Sequence, residues 1–403
     1  MKKREQHIII FDIDSSSIGG GLFRYTFDAN GVVSSVTELL VTRKNIGVLD
    51  PQHFDDYFNT TQKVLSQVAR TLYRESRTGL DVLYLNVSAP WLSAQKRIIK
   101  KSEQQPFDIT QDLLNELIEH DIEIAFDKSH TYQDHKVSLV DRKTIGVRGN
   151  GYDLRNPIGV QVKDLEIHSL ASAMSDDTIE VFSHIIEKEF HIKPEIVSNP
   201  AISYQAVKNL LPHQNNLVVV DISGYSTECT VIESDHYKKH LVLPMGYEHM
   251  IDSIESETHA GRLESRVMFS PHYHVGRDDN SQADISSLQE KAFKTWYTEF
   301  HKALGTLSQE GKLPFTFLIR APKAIKDGVQ FHLLQQDSIG QYIKNHTTIE
   351  MVSFDFDNDF YPSPDGVPAS KDFFTETSNK CLVGNIIFSW NYGYNTEVFS
   401  TGP

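Results

Sequence analysis

Two short stretches of this chain combine an acid with hydroxyls in a pattern suited to holding phosphate. In the first, the apolar run Ile8-Ile9-Ile10-Phe11 ends at Asp12, Ser15-Ser16-Ser17 follows as a turn by composition, and a second apolar run fills residues 18–26. In the second, Leu217-Val218-Val219-Val220 ends at Asp221, Ser223-Gly224-Tyr225-Ser226-Thr227 makes the turn, and Cys229-Thr230-Val231-Ile232 completes it. A tight turn between strands aims several backbone N–H groups the same way, and neighbouring hydroxyls complete a nest for anionic oxygens. A carboxylate at the strand end can hold a hydrated Mg²⁺ through water. One such hairpin is commonplace. Two facing each other can clamp a phosphate tail from opposite sides, with Asp12, Ser15, Ser16, Ser17, Asp221, Gly224, Ser226 and Thr227 around it. Asp12 and Asp221 are then the magnesium ligands, through water.

Other clusters carry less. His272-Tyr273-His274 with Asp278 and Asp279 has metal-ligating types, but no third and fourth ligand stands at a recognisable spacing, so a polar loop is expected. Asp355, Asp357 and Asp359 alternate like the first ligands of a calcium loop. The sixth and twelfth positions of that loop need Gly and Glu, and here they hold Phe360 and Gly366, which excludes it. Cys229 and Cys381 give no disulfide framework or metal knuckle, and both sit in apolar runs that suit buried thiols. No nucleophile elbow, zinc-protease helix or Walker-type loop occurs, so no catalytic residue is assigned. The net charge of −15 repels nucleic-acid backbones and anionic membrane as a whole surface. The basic run Lys96-Arg97-Ile98-Ile99-Lys100-Lys101 reads as a solvated strand edge.

The elements that must position the two turns follow an α/β order. A hairpin over 7–26 leads to a strand at 33–42, a helix at 51–75 with Pro51 near its start, and a strand at 82–88. From about 80 to 168 the chain reads as a separate module of strands (82–88, 96–101 and 135–147), one helix (109–126) and a Gly149-Asn150-Gly151 loop. A helix at 176–190, a short run at 195–197 and a helix at 199–211 precede the second hairpin, and Gly246 precedes a helix from about Glu248. Residues 270–286 are polar and loop-like. The tail from about 354 is rich in Asp, Pro and Ser, with an apolar segment at 381–390 that suits a last strand. A chain of 403 residues exceeds one compact core, so at least two domains are expected. No run of about 18 apolar residues occurs. The four apolar residues after the basic start are too few for a signal peptide, so a cytoplasmic protein is expected.

These residues resemble the actin superfamily, and within it the bacterial division protein FtsA, with the pilus protein PilM next. "FDIDSSSIGGGLF" is similar to the first phosphate loop of that family and "VVVDISGYSTECTVIE" to the second. "LPMGYEHMIDSI", which contains Gly246, is similar to the segment after it, while "YDLRNPIGVQVKDLEIH" and "ITQDLLNELIEHDI" resemble parts of the FtsA insertion. The resemblance implies a two-lobed actin-like (ribonuclease H-like) α/β fold. Its first lobe would be 1–79 with 169–205, interrupted by an FtsA-type subdomain at 80–168. The second lobe would be 206–354 with a smaller part at 255–310, and a tail would run over 355–403. It also implies ATP with Mg²⁺ as cofactor and Gly246 among the nucleotide-binding residues. Expected partners are further copies of the chain and cytoplasmic division or pilus proteins, with membrane reached only through them, because no Lys or Arg follows Lys380 to hold a tail helix on anionic lipid. The function the resemblance implies is that of a cytoskeletal or scaffold protein in cell division with weak or degenerate ATP binding; the alternatives are a PilM-like pilus-assembly actin or an ATP-dependent sugar-kinase-like enzyme on the same fold. The chain also departs from the pattern. Asp14 stands where the first loop has glycine, and Ser223 and Tyr225 replace glycines of the second. Ala260-Gly261-Arg262-Leu263-Glu264 lacks the acid and the lysine that hold the nucleoside, and Phe317-Leu318-Ile319-Arg320 is not followed by Gly-Gly. The implied activity is therefore a slow ATPase at most.

Overall fold

The computed structural model describes residues 4–353 apart from 28–32, 48–52, 77–78, 126–130, 133–134, 211–214, 235, 270–278, 345–349 and parts of 323–336. The acids at 355–359, the expected last strand, Cys381 and the histidine pair at 272–274 lie outside the described residues.

In chain order the elements are β1 (Arg4–Ile13), β2 (Ser17–Phe27), β3 (Val33–Asn45), α1 (Phe54–Glu75), β4 (Val82–Val87), β5 (Ser93–Asp108), α2 (Gln111–Ala125) and β6 (Thr131–Tyr132). Then come β7 (His135–Gly149), β8 (Tyr152–Asp153), β9 (Gln161–Ser175), α3 (Asp176–Phe190), β10 (Glu195–Ser198) and α4 (Asn199–Leu210). The remainder holds β11 (Asn216–Ile222), β12 (Thr227–Glu233), β13 (His236–Leu243), α5 (Tyr247–Thr258), α6 (Arg262–Val267), α7 (Asp279–Leu307), β14 (Thr316–Arg320) and β15 (Glu350–Ser353).

Two sheets repeat one design. The first has the order β10-β4-β1-β2-β3 and the second β13-β12-β11-β14-β15. In each, three antiparallel strands come first in the chain, and two parallel strands then add on the other side of the first one. The central strands are apolar on both faces, as strands buried between layers must be. On β1, Ile9, Phe11 and Ile13 join the helix α1 and α3 side, where Leu65, Val68, Leu72, Phe182 and Ile186 pack. Ile8 and Ile10 face the other way, into a core shared with Leu217 and Val219 of β11, Ile202 of α4 and Leu318 of β14. Val218, Val220 and Ile222 in turn face α5 and α7, against Ile251, Trp296 and Phe300. The two sheets therefore sandwich a common core and carry separate helical layers outside it.

α1 forms because Tyr57, Thr61, Val64, Leu65, Val68, Ala69 and Leu72 recur at helical spacing and are buried, while Asp55 and Asp56 complement the start of its dipole. α3 starts at Ser175, whose hydroxyl accepts from Thr178 N at 3.3 Å. A third sheet, β5-β9-β7-β6 with β8 on β7, lies in the chain between β4 and α3. α2 covers one of its faces through Leu114 and Ile118 against Val147, Leu165 and Ile167. The basic run 96–101 lies on β5, an edge strand of that sheet. Several regions differ from the sequence expectation. The strand at 82–88, read as part of the separate module over 80–168, is β4 of the first sheet, paired in parallel with β1 and β10, because its apolar run suits a strand buried on both faces. β9 was not expected as a strand, since its first half is polar. β13 was not foreseen, because His236, Lys238, Lys239 and His240 break the apolar alternation that marks a strand. The segment 279–286, expected as loop, opens α7: its sequence is mostly polar up to Ile285, which is buried, and helical spacing of apolar residues shows only from there on.

Candidate functional site

Each sheet delivers one acid and one turn to a common cleft. The first turn closes with Asp14 N donating to Ser17 O at 3.0 Å, and the second with Ser223 N donating to Ser226 O at 2.9 Å. Asp12 pairs across its hairpin with Gly19, and Asp221 across its own with Glu228. The two devices are thus equivalent in geometry as well as in order. The cleft between them encloses about 470 Å³ and is lined by Asp12, Asp14, Asp221, Glu228 and Glu248 together with Arg43, Arg266 and Arg320.

Both strand-end acids are already neutralised by the protein. Asp12 is ion-paired to Arg43 and accepts from Asn86 Nδ2 at 2.9 Å. Arg43 belongs to β3, two strands away, and Gly19 of β2 lies between them in register. A Cβ at Gly19 would stand 2.7 Å from Arg43 Nη2, so the missing side chain is what lets the arginine cross to Asp12. Asp221 is bound by Arg320 Nη1 at 2.7 Å and by Asn199 Nδ2 at 3.1 Å. Arg320 is its in-register neighbour on the parallel strand β14. Burial alone would lower the Arg320 pKa, but Asp221, Asp12 and Asp14 outweigh it and hold the guanidinium above its ordinary value.

Asp14 accepts from Ser15 N, from Ser15 Oγ at 3.1 Å and from Ser17 Oγ at 3.4 Å. Desolvation, with help from Asp12 and Asp221 and against Arg43, raises its pKa. Glu228 is buried, takes the Ala89 amide at 3.0 Å and lies 3.6 Å from His240 Nε2. Desolvation, reinforced by Asp221, pushes its carboxyl up to about 7. Burial also pushes His240 down to about 4. Both members of that pair are therefore held towards their neutral forms.

The turns also touch each other. Ser15 Oγ lies 2.8 Å from Ser223 Oγ and accepts from Tyr225 N at 2.8 Å. Tyr57 OH of α1 donates to Ser15 O at 2.5 Å and fixes the first turn from behind. Ser226 Oγ is bonded to Ser223 Oγ at 2.9 Å. The amides at the start of α5, which could face an anion, are used by the second turn: Tyr247 N donates to Ser223 O at 2.9 Å and Glu248 N to Gly224 O at 2.7 Å. Gly246 permits this approach, since any Cβ there would meet the carbonyl oxygens of residues 223, 224 and 226. Thr227 turns its hydroxyl away from the cleft, donating to Met245 O at 2.7 Å and accepting from Trp296 Nε1 at 3.0 Å. In the segment matched to the nucleoside-holding helix, Arg262 and Arg266 instead converge on buried Glu248, at 2.7 and 2.6 Å.

Of the residues expected around phosphate, the structure brings together Asp12, Ser15, Ser16, Ser17, Asp221, Gly224 and Ser226. Gly246 packs behind the second turn, and Thr227 points away. The arrangement does not fit Mg²⁺–ATP as it stands. The two acids that would hold the metal's waters bind arginines, and the turns that would hold phosphates bind each other. Among the described residues no group of three or more His, Cys, Asp or Glu could hold a metal.

No protein-family profile matches the chain. No curated protein matches it either. Solved structures do. A chain of the PilM-PilN type IV pilus biogenesis complex matches with a TM-score of 0.61 at 12% identity, over 98% of this chain and 99% of that one. The chain has an actin-like ATPase fold. Its two like sheets around one cleft are the two lobes of that fold. Also similar are a Bacteroides thetaiotaomicron protein with actin-like ATPase fold and unknown function (TM-score 0.41, 9% identity, 87% of this chain and 91% of that one) and the ethanolamine utilization protein EutJ from Carboxydothermus hydrogenoformans (0.40, 10%, 87% and 85%).

Sequence reasoning missed Arg43, Asn86, Glu228 and Glu248, and named Arg320 only as a departure from Gly-Gly. The triple glycine after the first turn was the available signal for Arg43, because glycines at 19–21 leave a strand surface that a long side chain can cross.

Proposed function

We propose that this chain is a scaffold of the PilM kind: an actin-like protein that organises partner proteins of a pilus-assembly machine and does not turn over ATP. The observation that carries this reading is the pairing of Asp12 with Arg43 and of Asp221 with Arg320. Magnesium binding at these acids requires their carboxylates to face water and metal, and each arginine holds its acid at short range instead. The match to the pilus-complex chain over nearly the full length supports a pilus partner ahead of a division partner. The FtsA-like features of residues 80–168 support the same scaffold class with a division partner. Self-association, a cytoplasmic location and membrane contact only through partners belong to this reading. No helix among the described residues is long and apolar enough to cross a membrane.

Equilibrium titration with a labelled ATP analogue and Mg²⁺, together with a phosphate-release assay, tests it. The expected affinity is weaker than about 1 mM, equivalent to less than about 4 kcal/mol of binding. Turnover near 1 s⁻¹, roughly the low end of ordinary enzymes, contradicts it. Co-expression with the source organism's PilN-type protein is expected to yield a co-purifying complex, and a division-protein complex in its place would move the role to cell division.

A further inference from the structure

We infer that the two turns form a clasp that holds the lobes closed without any ligand between them. The contacts run in both directions across the cleft. The Ser15 hydroxyl of the first lobe is bonded to the Ser223 hydroxyl of the second and accepts from its Tyr225 amide, each at 2.8 Å. The Ala89 amide, just after β4 of the first lobe, is taken by Glu228 of the second at 3.0 Å. Steric fit adds to the bonds. The Gly224 backbone is seated on the Ser16 side chain so closely that a Cβ at Gly224 would overlap both Cβ and Oγ of Ser16, with Ser16 Cα only 3.2 Å away. Glycine is used here for close approach between lobes, as it would otherwise be used for close approach to a phosphate.

The partners on each side are fixed in advance. Ser15 is held by Tyr57 from α1 and by Asp14, while Ser223 and Gly224 are held by the first amides of α5. Arg43 and Arg320 supply positive charge that offsets the mutual repulsion of Asp12, Asp14 and Asp221. The inference stands on these contacts and holds whichever partner the scaffold serves. It makes the outer surface of the molecule a constant platform, where a nucleotide-bridged cleft would make it a gated one.

Hydrogen exchange at the Tyr225 amide reads the clasp directly, because that N–H is covered by a hydroxyl from the opposite lobe. In the full chain without nucleotide, Tyr225 is expected to exchange as slowly as the amides of β11, and millimolar Mg²⁺–ATP is expected to leave it unchanged. Gly224→Ala forces the turns apart and is expected to speed exchange at Tyr225 by roughly tenfold or more while the amides of β1 and β11 stay protected. Adding Ser16→Gly removes the overlapping atoms and is expected to restore protection. If Gly224→Ala unfolds the chain, recovery of the fold by Ser16→Gly supports the same contact. Fast exchange at Tyr225 in the unliganded wild type that slows on adding Mg²⁺–ATP overturns the clasp. So does a double variant no better protected, or no better folded, than Gly224→Ala alone. The phosphate-release assay decides the scaffold reading separately, since it does not report on Tyr225.

Discussion

Glu228 and His240 set opposing pH dependences in one small space. The Glu228 carboxyl is raised to about 7 by burial, so the folded chain keeps it protonated while the unfolded chain ionises it above its ordinary value of 4.5. Folding therefore loses stability from this group as pH rises through about 4.5 to 7, by on the order of 3 kcal/mol in all, and the loss then levels off. His240 works the other way. Its pKa falls from 6.5 to about 4, so the folded chain keeps it neutral and stability is lost as pH falls through that window. Between about pH 4.5 and 6.5 the two slopes largely offset each other. Glu228→Gln keeps an acceptor for the Ala89 amide and removes one slope. The variant is expected to gain stability over wild type at pH 8 and to show a rising profile from pH 4 to 6.5 that the wild type lacks. Urea denaturation at pH 5 and pH 8 checks this, and an equal shift at both values would show that Glu228 is ionised in the fold at both.

At the scale of elements, Asp12, Gly19 and Arg43 form a row across three adjacent strands, one residue from each. Gly19→Ala places a methyl against the Arg43 guanidinium and displaces it from Asp12, leaving a buried carboxylate short of its counter-charge. The expected loss is about 1–3 kcal/mol. Arg43→Ala is expected to cost a similar amount, and the double variant little more than either alone, because both changes remove one interaction. Thermal unfolding of the four proteins of this cycle measures the coupling, and additive losses would show that the row does not act as a unit. This row also marks where the sequence stopped being readable. The two Asp-turn devices, α1, α3 and most strand cores were legible, since they rest on local periodicity and composition. The partners of Asp12 and Asp221 were not, because a cross-strand neighbour depends on register, and register is fixed by pairing that no single segment displays. Thr227 illustrates the same limit. By type it belongs among the phosphate-facing hydroxyls, and strand alternation sends it to the Trp296 side of the sheet instead.

At the scale of the molecule, the two lobes are two copies of one topology that share an apolar layer. Ile8, Ile10 and Tyr84 of the first sheet and Leu217, Val219 and Leu318 of the second meet in it, with Ile202 of α4 buried among them. A lobe separated from its partner would expose this layer, at a cost of roughly 25 cal/mol per Å² of apolar surface. The clasp at the cleft and this shared core therefore act in concert, and the lobes are expected to unfold as one cooperative unit. Trp91 reports on the first lobe and Trp296 on the second, both buried. With Trp390 replaced by Phe, variants keeping only Trp91 or only Trp296 allow each lobe to be followed by fluorescence in denaturant. Coincident transitions are expected. Ile202→Ala, which opens a cavity in the shared layer, is expected to cost about 2–5 kcal/mol and to move both transitions by the same amount. A shift confined to one reporter would show that each lobe carries its own stability and that the layer between them is only a contact.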